Sequence, residues 1–331
     1  ILVTLVSLGA CDGEASSTDD GEGATPLEVA AFTLVDTTQT NCYDADGATI
    51  DCPAEGEPFF GQDAQHESLQ PDYTIQGDGT VIDNVTGLIW ERTPTDAGLS
   101  RDEAIEYCED LELGDRTDWR LPSTKELFSL SNFSQGWPYL DTDVFDIAGT
   151  AVSKDEQFWA DAYVGTTVEG GGSAAFGVNH GTGHIKAYPA QVSGPMGNYV
   201  RCVRGDQYGV NDFVDNGDGT ITDHGTGLMW QKADSGVGMD WEAALVFAEL
   251  ATTGGYEDWR LPDIRELQNI VDYTRSPSAT DSEALGPAID TSVFEITALP
   301  TGTTQFEPDY GYFWSSTSAY FGGDSLEYYY A

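Results

Sequence analysis

The 331 residues carry 57 Asp plus Glu against 13 Lys plus Arg, and the resulting net charge of −44 repels DNA, RNA, sulfated polyanions and anionic lipid headgroups. Hydrophobic residues make up 40%, with 8 Trp, 16 Tyr and 14 Phe, which excludes a disordered chain and suits two domains of roughly 150 residues each. No apolar run reaches the ~18 residues of a membrane span, while 38 Gly and 14 Pro predict many turns and short strands.

In chain order, Ile1 to Ala10 (ILVTLVSLGA) is apolar and small and runs into Cys11. It reads as the h-region of a secretory signal, the alternative being a buried strand with a chance cysteine. Leu8-Gly9-Ala10-Cys11 resembles the lipobox of bacterial lipoproteins, in which the cysteine thiol receives a diacylglyceryl group, so Cys11 is the expected lipidation site. An initiator Met and a basic n-region ordinarily precede an h-region, so further residues are expected before Ile1. The acidic, Ser/Thr/Gly-rich stretch from Asp12 opens a tether expected to reach residue 40. Together these features imply an exported protein of the bacterial envelope, with the membrane as a partner through a lipid anchor.

Setting Cys11 aside leaves Cys42, Cys52, Cys108 and Cys202, an even number, as in oxidising compartments. Cys42 and Cys52 flank an Asp46-Gly47 turn that makes a local bridge easy, which leaves Cys108 for Cys202. Free thiols or a metal site are the alternative, although no CxxC spacing occurs and the four His lie away from the cysteines. Residues 41–76 are read as a disulfide-containing leader segment.

A shift of 140 residues superposes Gly77-Asp78-Gly79-Thr80 on Gly217-Asp218-Gly219-Thr220, and Thr86-Gly87-Leu88-Ile89-Trp90 on Thr226-Gly227-Leu228-Met229-Trp230. It also superposes Asp118-Trp119-Arg120-Leu121-Pro122 on Asp258-Trp259-Arg260-Leu261-Pro262, and Phe158-Trp159 matches Phe313-Trp314 at 155. A period this long means two tandem domains, 77–205 and 211–331, and not a solenoid. In each, a Gly-Asp-Gly-Thr turn joins two short arms and leads to a Trp-bearing strand. A helix follows, capped by Ser100 with Glu103 in the first copy and by Asp240 in the second. After Trp-Arg-Leu-Pro, Ser123 to Leu130 and Asp263 to Val271 predict a second short helix. The scarce cations Arg120 and Arg260 are expected to pair with Glu126 and Glu266. Strands Ala174 to Val178 and His184 to Tyr188 form a hairpin with His180 and His184 at a solvated tip, and Tyr199 to Val203 closes the first copy. From Trp159 to Arg204 is 45 positions, whereas 17 follow Trp314. The second copy is therefore expected to lack about 28 residues, with Leu326 to Tyr330 aligned roughly on Ala174 to Val178.

The set TGLIWE and TGLMWQ, DWRLPSTKEL and DWRLPDIREL, FWSSTS and YVRCVRG resembles the bacterial domain of unknown function named after the C-terminal domain of the Legionella collagen-like protein. More loosely, the pattern is similar to C-type-lectin-like and formylglycine-generating-enzyme-like domains. The resemblance implies an α+β fold, two tandem C-type-lectin-like domains each with two short helices and twisted antiparallel strands. In that fold the first helix is often stapled to the last strand, which fits Cys108 with Cys202; Ala248 replaces the helix cysteine in the second copy.

Asp215, Asp218 and Asp223 alternate with Gly and Asn as in a calcium loop but lack its bidentate Glu, so a plain hairpin turn is the favoured reading, with calcium the one cofactor to consider. No nucleophile elbow, HExxH or phosphate-binding glycine loop occurs. The expected function is non-catalytic surface binding or adhesion towards a neutral or calcium-bridged glycan or a protein ligand. Nucleic acid and sulfated polyanions are not expected as partners. An enzyme related to formylglycine-generating proteins and a structural envelope component are the alternatives.

Overall fold

The computed structural model describes residues 6–8, 30–66, 68–134, 136–167, 173–277, 279, 281–302, 309–321 and 327–330. Its elements in chain order are β1 (Val6–Leu8), β2 (Cys42–Tyr43), β3 (Thr49–Ile50), β4 (Tyr73–Ile75), β5 (Thr80–Asp83), β6 (Ile89–Glu91), α1 (Arg101–Glu109), α2 (Thr124–Phe128), β7 (Gln157–Thr167), β8 (Ser173–Asn179), β9 (His184–Pro189) and β10 (Val203–Arg204). The repeat then gives β11 (Phe213–Asp215), β12 (Thr220–Asp223), β13 (Leu228–Gln231), α3 (Trp241–Glu249), α4 (Ile264–Asn269), β14 (Ser318–Phe321) and β15 (Glu327–Tyr330). The architecture is mixed, with a few short helices beside several antiparallel sheets.

The repeat read from sequence is a repeat in three dimensions. Sheet β10-β6-β5-β4 in the first domain has its counterpart in β1-β13-β12-β11 of the second. Registers agree: Thr80 faces Glu91 and Val81 faces Trp90, as Thr220 faces Gln231 and Ile221 faces Trp230. Each turn is closed the same way, Asp78 and Asp218 accepting from the amide and hydroxyl of Thr80 and Thr220. Gly79 and Gly219 sit at φ +88° and +92°, which a side chain would strain. The predicted caps form: Ser100 with Glu103, Ser123 with Glu126 and Asp263 with Glu266 make capping boxes, and Asp240 accepts from Ala243 N.

Trp90 and Trp230 are fully buried, each in a core on one face of its sheet. Trp119 with Leu121, and Trp259 with Leu261, pack beneath the first helix of each domain. Both disulfides form, Cys42–Cys52 with Cα atoms 5.1 Å apart and Cys108–Cys202 at 5.6 Å, the latter joining α1 to the closing segment. Arg120 pairs bidentately with Glu126 at 2.6 and 2.7 Å, and Arg260 with Glu266 at 2.5 and 2.7 Å.

Several boundaries differ from the sequence reading. The first domain begins at β4, inside the expected leader, because Tyr73 packs edge-on to Phe145. The expected tether ends earlier than residue 40: Val35, Asp36 and Thr37 are buried, and Phe32 N donates to Gly225 O while Phe133 N donates to Thr37 O. Residues 6–8, read as part of a secretory h-region, form a strand on β13. His180 is not at a solvated tip; it is buried against Phe158, and burial with Arg201 nearby pushes its imidazole down to about 3. At the end of the second domain, Ser318 faces Tyr330 as Tyr163 faces Ala175, so Tyr330 matches Ala175 and not Val178.

Candidate functional site

A cavity of about 650 Å³ lies where the two domains meet. Arg101 enters it from the start of α1, Lys125 from α2, and Asp161 from β7; Asp272, Arg275 and Asp290 come from the loops after α4. Tyr273 on the same wall lies edge-on to Phe176 of β8, ring centres 5.1 Å apart, so the joint between the domains is also the wall of the cavity. Its local charge is balanced, three cations against three carboxylates, on a chain that is overwhelmingly acidic.

Local structure fixes each group. Arg101 donates to Asp161 O at 2.5 Å, and Asp161 N donates to Pro122 O at 2.8 Å. Lys125 reaches across to the interdomain linker, donating to Gly209 O at 3.0 Å and Asn211 Oδ1 at 2.6 Å. Asp272 and Asp290 each spend one oxygen on a following turn, accepting from Thr274 and Ser292. Burial pushes Lys125 down to about 8, opposed by Asp223 and Asp272. Asp161 is exposed at the cavity, yet partial desolvation by the surrounding wall and neighbouring Glu126 push its carboxyl up to about 6. Thr124, on the wall and 1% exposed, has a buried hydroxyl without a hydrogen-bond partner, and Arg275 Nε is likewise unpartnered. Buried polar atoms in this state are what a bound hydroxyl or carbonyl would satisfy.

The residues singled out from sequence lie elsewhere. Asp215 is held by Lys232 at 2.7 Å and accepts from Gly217 N. Asp218 closes its turn, and buried Asp223 accepts from Asn211, Asp212, Gly225 and Thr226. Among the described residues no three of His, Cys, Asp and Glu are grouped so as to hold a metal ion. Cys11 falls outside the described residues. No helix among them is long and apolar enough to cross a membrane. One cavity residue had a signal in the sequence: Lys125 has a cationic twin, Arg265, at the matching position of the other second helix, although only 13 cations exist.

Two segments of the chain, residues 79–204 and 219–330, match the family model described as the Lcl C-terminal domain. They span well over half of the chain, which therefore belongs to this family as a tandem of two copies. Neither a curated protein nor a solved structure matches the chain.

Proposed function

We propose that this member of the Lcl C-terminal domain family is a non-catalytic, lipid-anchored binding protein of the bacterial envelope. Its cavity at the domain joint takes a neutral, hydroxyl-rich ligand such as a glycan chain. The observation that carries this reading is the cavity's composition: Arg101, Lys125 and Arg275 together with Asp161, Asp272 and Asp290, and the unpartnered Thr124 hydroxyl in the same wall. A mixture of donors and acceptors suits sugar hydroxyls, each of which donates and accepts, whereas a charged ligand would meet a like charge within the same wall. We read each domain as C-type-lectin-like on its two short helices, its antiparallel sheets and, in the first, the bridge from helix to closing segment.

A catalytic reading would start from the perturbed Asp161 and Lys125. The Lys125 ammonium, however, is committed to Gly209 and Asn211, which makes it a strut holding the linker. A screen of neutral, acidic and sulfated oligosaccharides, run with calcium and with chelator, tests the binding reading. Binding confined to neutral glycans, and weakened at least tenfold by Arg275→Ala and Asp161→Ala with unchanged circular dichroism, is expected; equal binding by the variants overturns it. Anchoring rests on Leu8-Gly9-Ala10-Cys11. Expression in bacteria with a clickable fatty acid should label the protein, and retention of the label in Cys11→Ala sinks that part.

A further inference from the structure

The strut from Lys125 of α2 to the interdomain linker ends on a carboxamide. Lys125 Nζ lies 2.6 Å from Asn211 Oδ1 and 3.0 Å from Gly209 O, although Asn211 is 86 residues further along the chain. Behind the carboxamide stands Asp223 of β12, fully buried, whose Oδ2 accepts from Asn211 Nδ2 at 2.8 Å. A carboxylate can only accept, so this contact turns Nδ2 towards Asp223 and Oδ1 towards Lys125. Asp223 is itself held by Asp212 N, Gly225 N and Thr226 Oγ1, each at 2.9 Å. Amine, carboxamide and carboxyl thus form one chain of hydrogen bonds, each member fixed by a different segment.

A lysine beside an asparagine is ordinarily inert, because an ammonium has no lone pair and an amide nitrogen leaves only when protonated. Both obstacles are lowered here. Burial pushes the Lys125 amine down to about 8, opposed by Asp223 and Asp272, so a sizeable share of it is uncharged in slightly alkaline solution. Asn211 Cγ lies one carbonyl bond beyond Oδ1, a small torsional shift from the about 3–3.5 Å at which a near-attack pair reacts. Asp223 Oδ2 already touches the nitrogen that has to leave.

The internal repeat supplies a reference for this arrangement. At the reciprocal joint Arg265 holds the position of Lys125, Asp83 that of Asp223 and Pro71 that of Asn211. Arg265 and Asp83 are near enough for their charges to interact, as those of Lys125 and Asp223 do. A guanidinium keeps its protons and proline has no carboxamide, so that joint has the carboxyl without a nucleophile or an acyl group. Of the two joints, one alone has all three groups.

We propose that Lys125 and Asn211 form an intramolecular isopeptide bond, promoted by Asp223, which welds α2 of the first domain to the entry of the second. The uncharged Nζ adds its lone pair to Asn211 Cγ, forming the new C–N bond and moving the carbonyl pair onto Oδ1. In that adduct both nitrogens sit on Cγ, so Asp223 Oδ2 takes a proton from Nζ and delivers one to Nδ2. The carbonyl re-forms, the Cγ–Nδ2 bond breaks, and ammonia leaves through the cavity whose wall Lys125 and Asn211 share. Asp223 ends as it began, nothing is oxidised or reduced, and the step needs no co-reactant. It needs no ligand either, so it stands or falls apart from the glycan reading of the cavity.

The test is tryptic mapping of the folded full chain after incubation, reduction and alkylation. Lysine acylated on Nζ is not a tryptic site, so residues 121–154 should stay whole and appear joined to residues 205–232, lighter than the two together by one ammonia. Fragmentation should place the branch at Lys125 and Asn211. Lys125→Arg, which keeps the charge, should restore cleavage at position 125 and leave 205–232 as a free peptide. Asp223→Asn should slow the cross-link at least tenfold with unchanged circular dichroism. Full cleavage at Lys125 together with an unmodified 205–232 peptide overturns the proposal, and cross-linking of Asp223→Asn at the unmodified rate overturns the part given to the carboxyl. Should the buried Asp223→Asn fail to fold, mapping of the unmodified chain still decides the bond.

Discussion

The chemistry of Asp63 departs far from what its type suggests. It is 4% exposed, and its Oδ2 accepts from Thr37 Oγ1 at 2.7 Å and Thr317 Oγ1 at 2.5 Å, so the leader segment meets the second domain at this carboxyl. Burial outweighs those two bonds and, with Asp36 and Glu266 adding repulsion, pushes the group from 3.8 up to about 6. The folded chain therefore holds this proton more tightly than the unfolded chain. The stability it contributes is full below pH 3.8 and is lost as pH rises through about 6. His66, lining the same small cavity, works in the opposite sense: burial pushes it down to about 4, so its contribution is lost as pH falls from 6.5 towards that value. Asp63→Asn keeps an oxygen for both hydroxyls but has nothing to ionise, and it leaves His66 in place. It should stabilise the protein by about 1–3 kcal/mol at pH 7.5 and by clearly less at pH 4.5, because each tenfold gain in proton affinity on folding is worth about 1.4 kcal/mol. Urea denaturation at the two pH values reads this, and an identical difference at both would overturn it. Nothing in the sequence marks Asp63, because its partner Thr317 lies 254 residues away. Arg120 with Glu126 was legible because both ends lie within six residues and a cap fixes one of them.

At the scale of elements, legibility follows the same division between local and distant causes. The two hairpins, the caps and the helices they start are written in adjacent residues: an Asp-Gly turn, a Ser or Asp followed at the third position by Glu. The repeat then located each of them twice. Edges were not legible, because a strand's partner depends on what lies beside it in space. Val6–Leu8 has the composition of a secretory leader, yet it also has the apolar character that the β13 edge requires, and composition alone cannot separate the two. His180 looked like a hairpin tip from its Gly-Thr-Gly neighbours. It is covered because Tyr139, 41 positions earlier in the chain, brings its backbone amide to His180 O at 2.6 Å. The cavity at the joint was unreadable for the same reason, since its six charged residues come from segments spread between Arg101 and Asp290.

At the scale of the whole molecule, the two domains are tied by a strap that belongs to neither repeat. Residues 32–39 run between them: Phe32 N donates to Gly225 O and Thr33 O accepts from Tyr208, while Thr37 O accepts from Phe133 N and Gln39 exchanges two hydrogen bonds with Ser318. Arg265, 3% exposed, fastens this strap, donating to Val35 O at 2.9 Å and to Ser131 O. Its guanidinium therefore joins α4 of the second domain to the strap and to the segment that follows α2 in the first. The twin residue Lys125 does the corresponding task towards the linker at Gly209 and Asn211. Repeats with separate cores would ordinarily unfold independently, but here the loss of either domain would strand a buried guanidinium or orphan the carbonyls it satisfies. The two domains should thus melt as one unit. Arg265→Met keeps most of the apolar volume and removes the donors, which should cost about 2–4 kcal/mol. Because the strap and α4 then lose their shared fastening, the variant should unfold in two steps, with the disulfide-bridged first domain outlasting the second. Calorimetry with a parallel tryptophan fluorescence melt distinguishes the outcomes. A single transition at the unmodified midpoint would show that Arg265 fills space at the joint without coupling the domains.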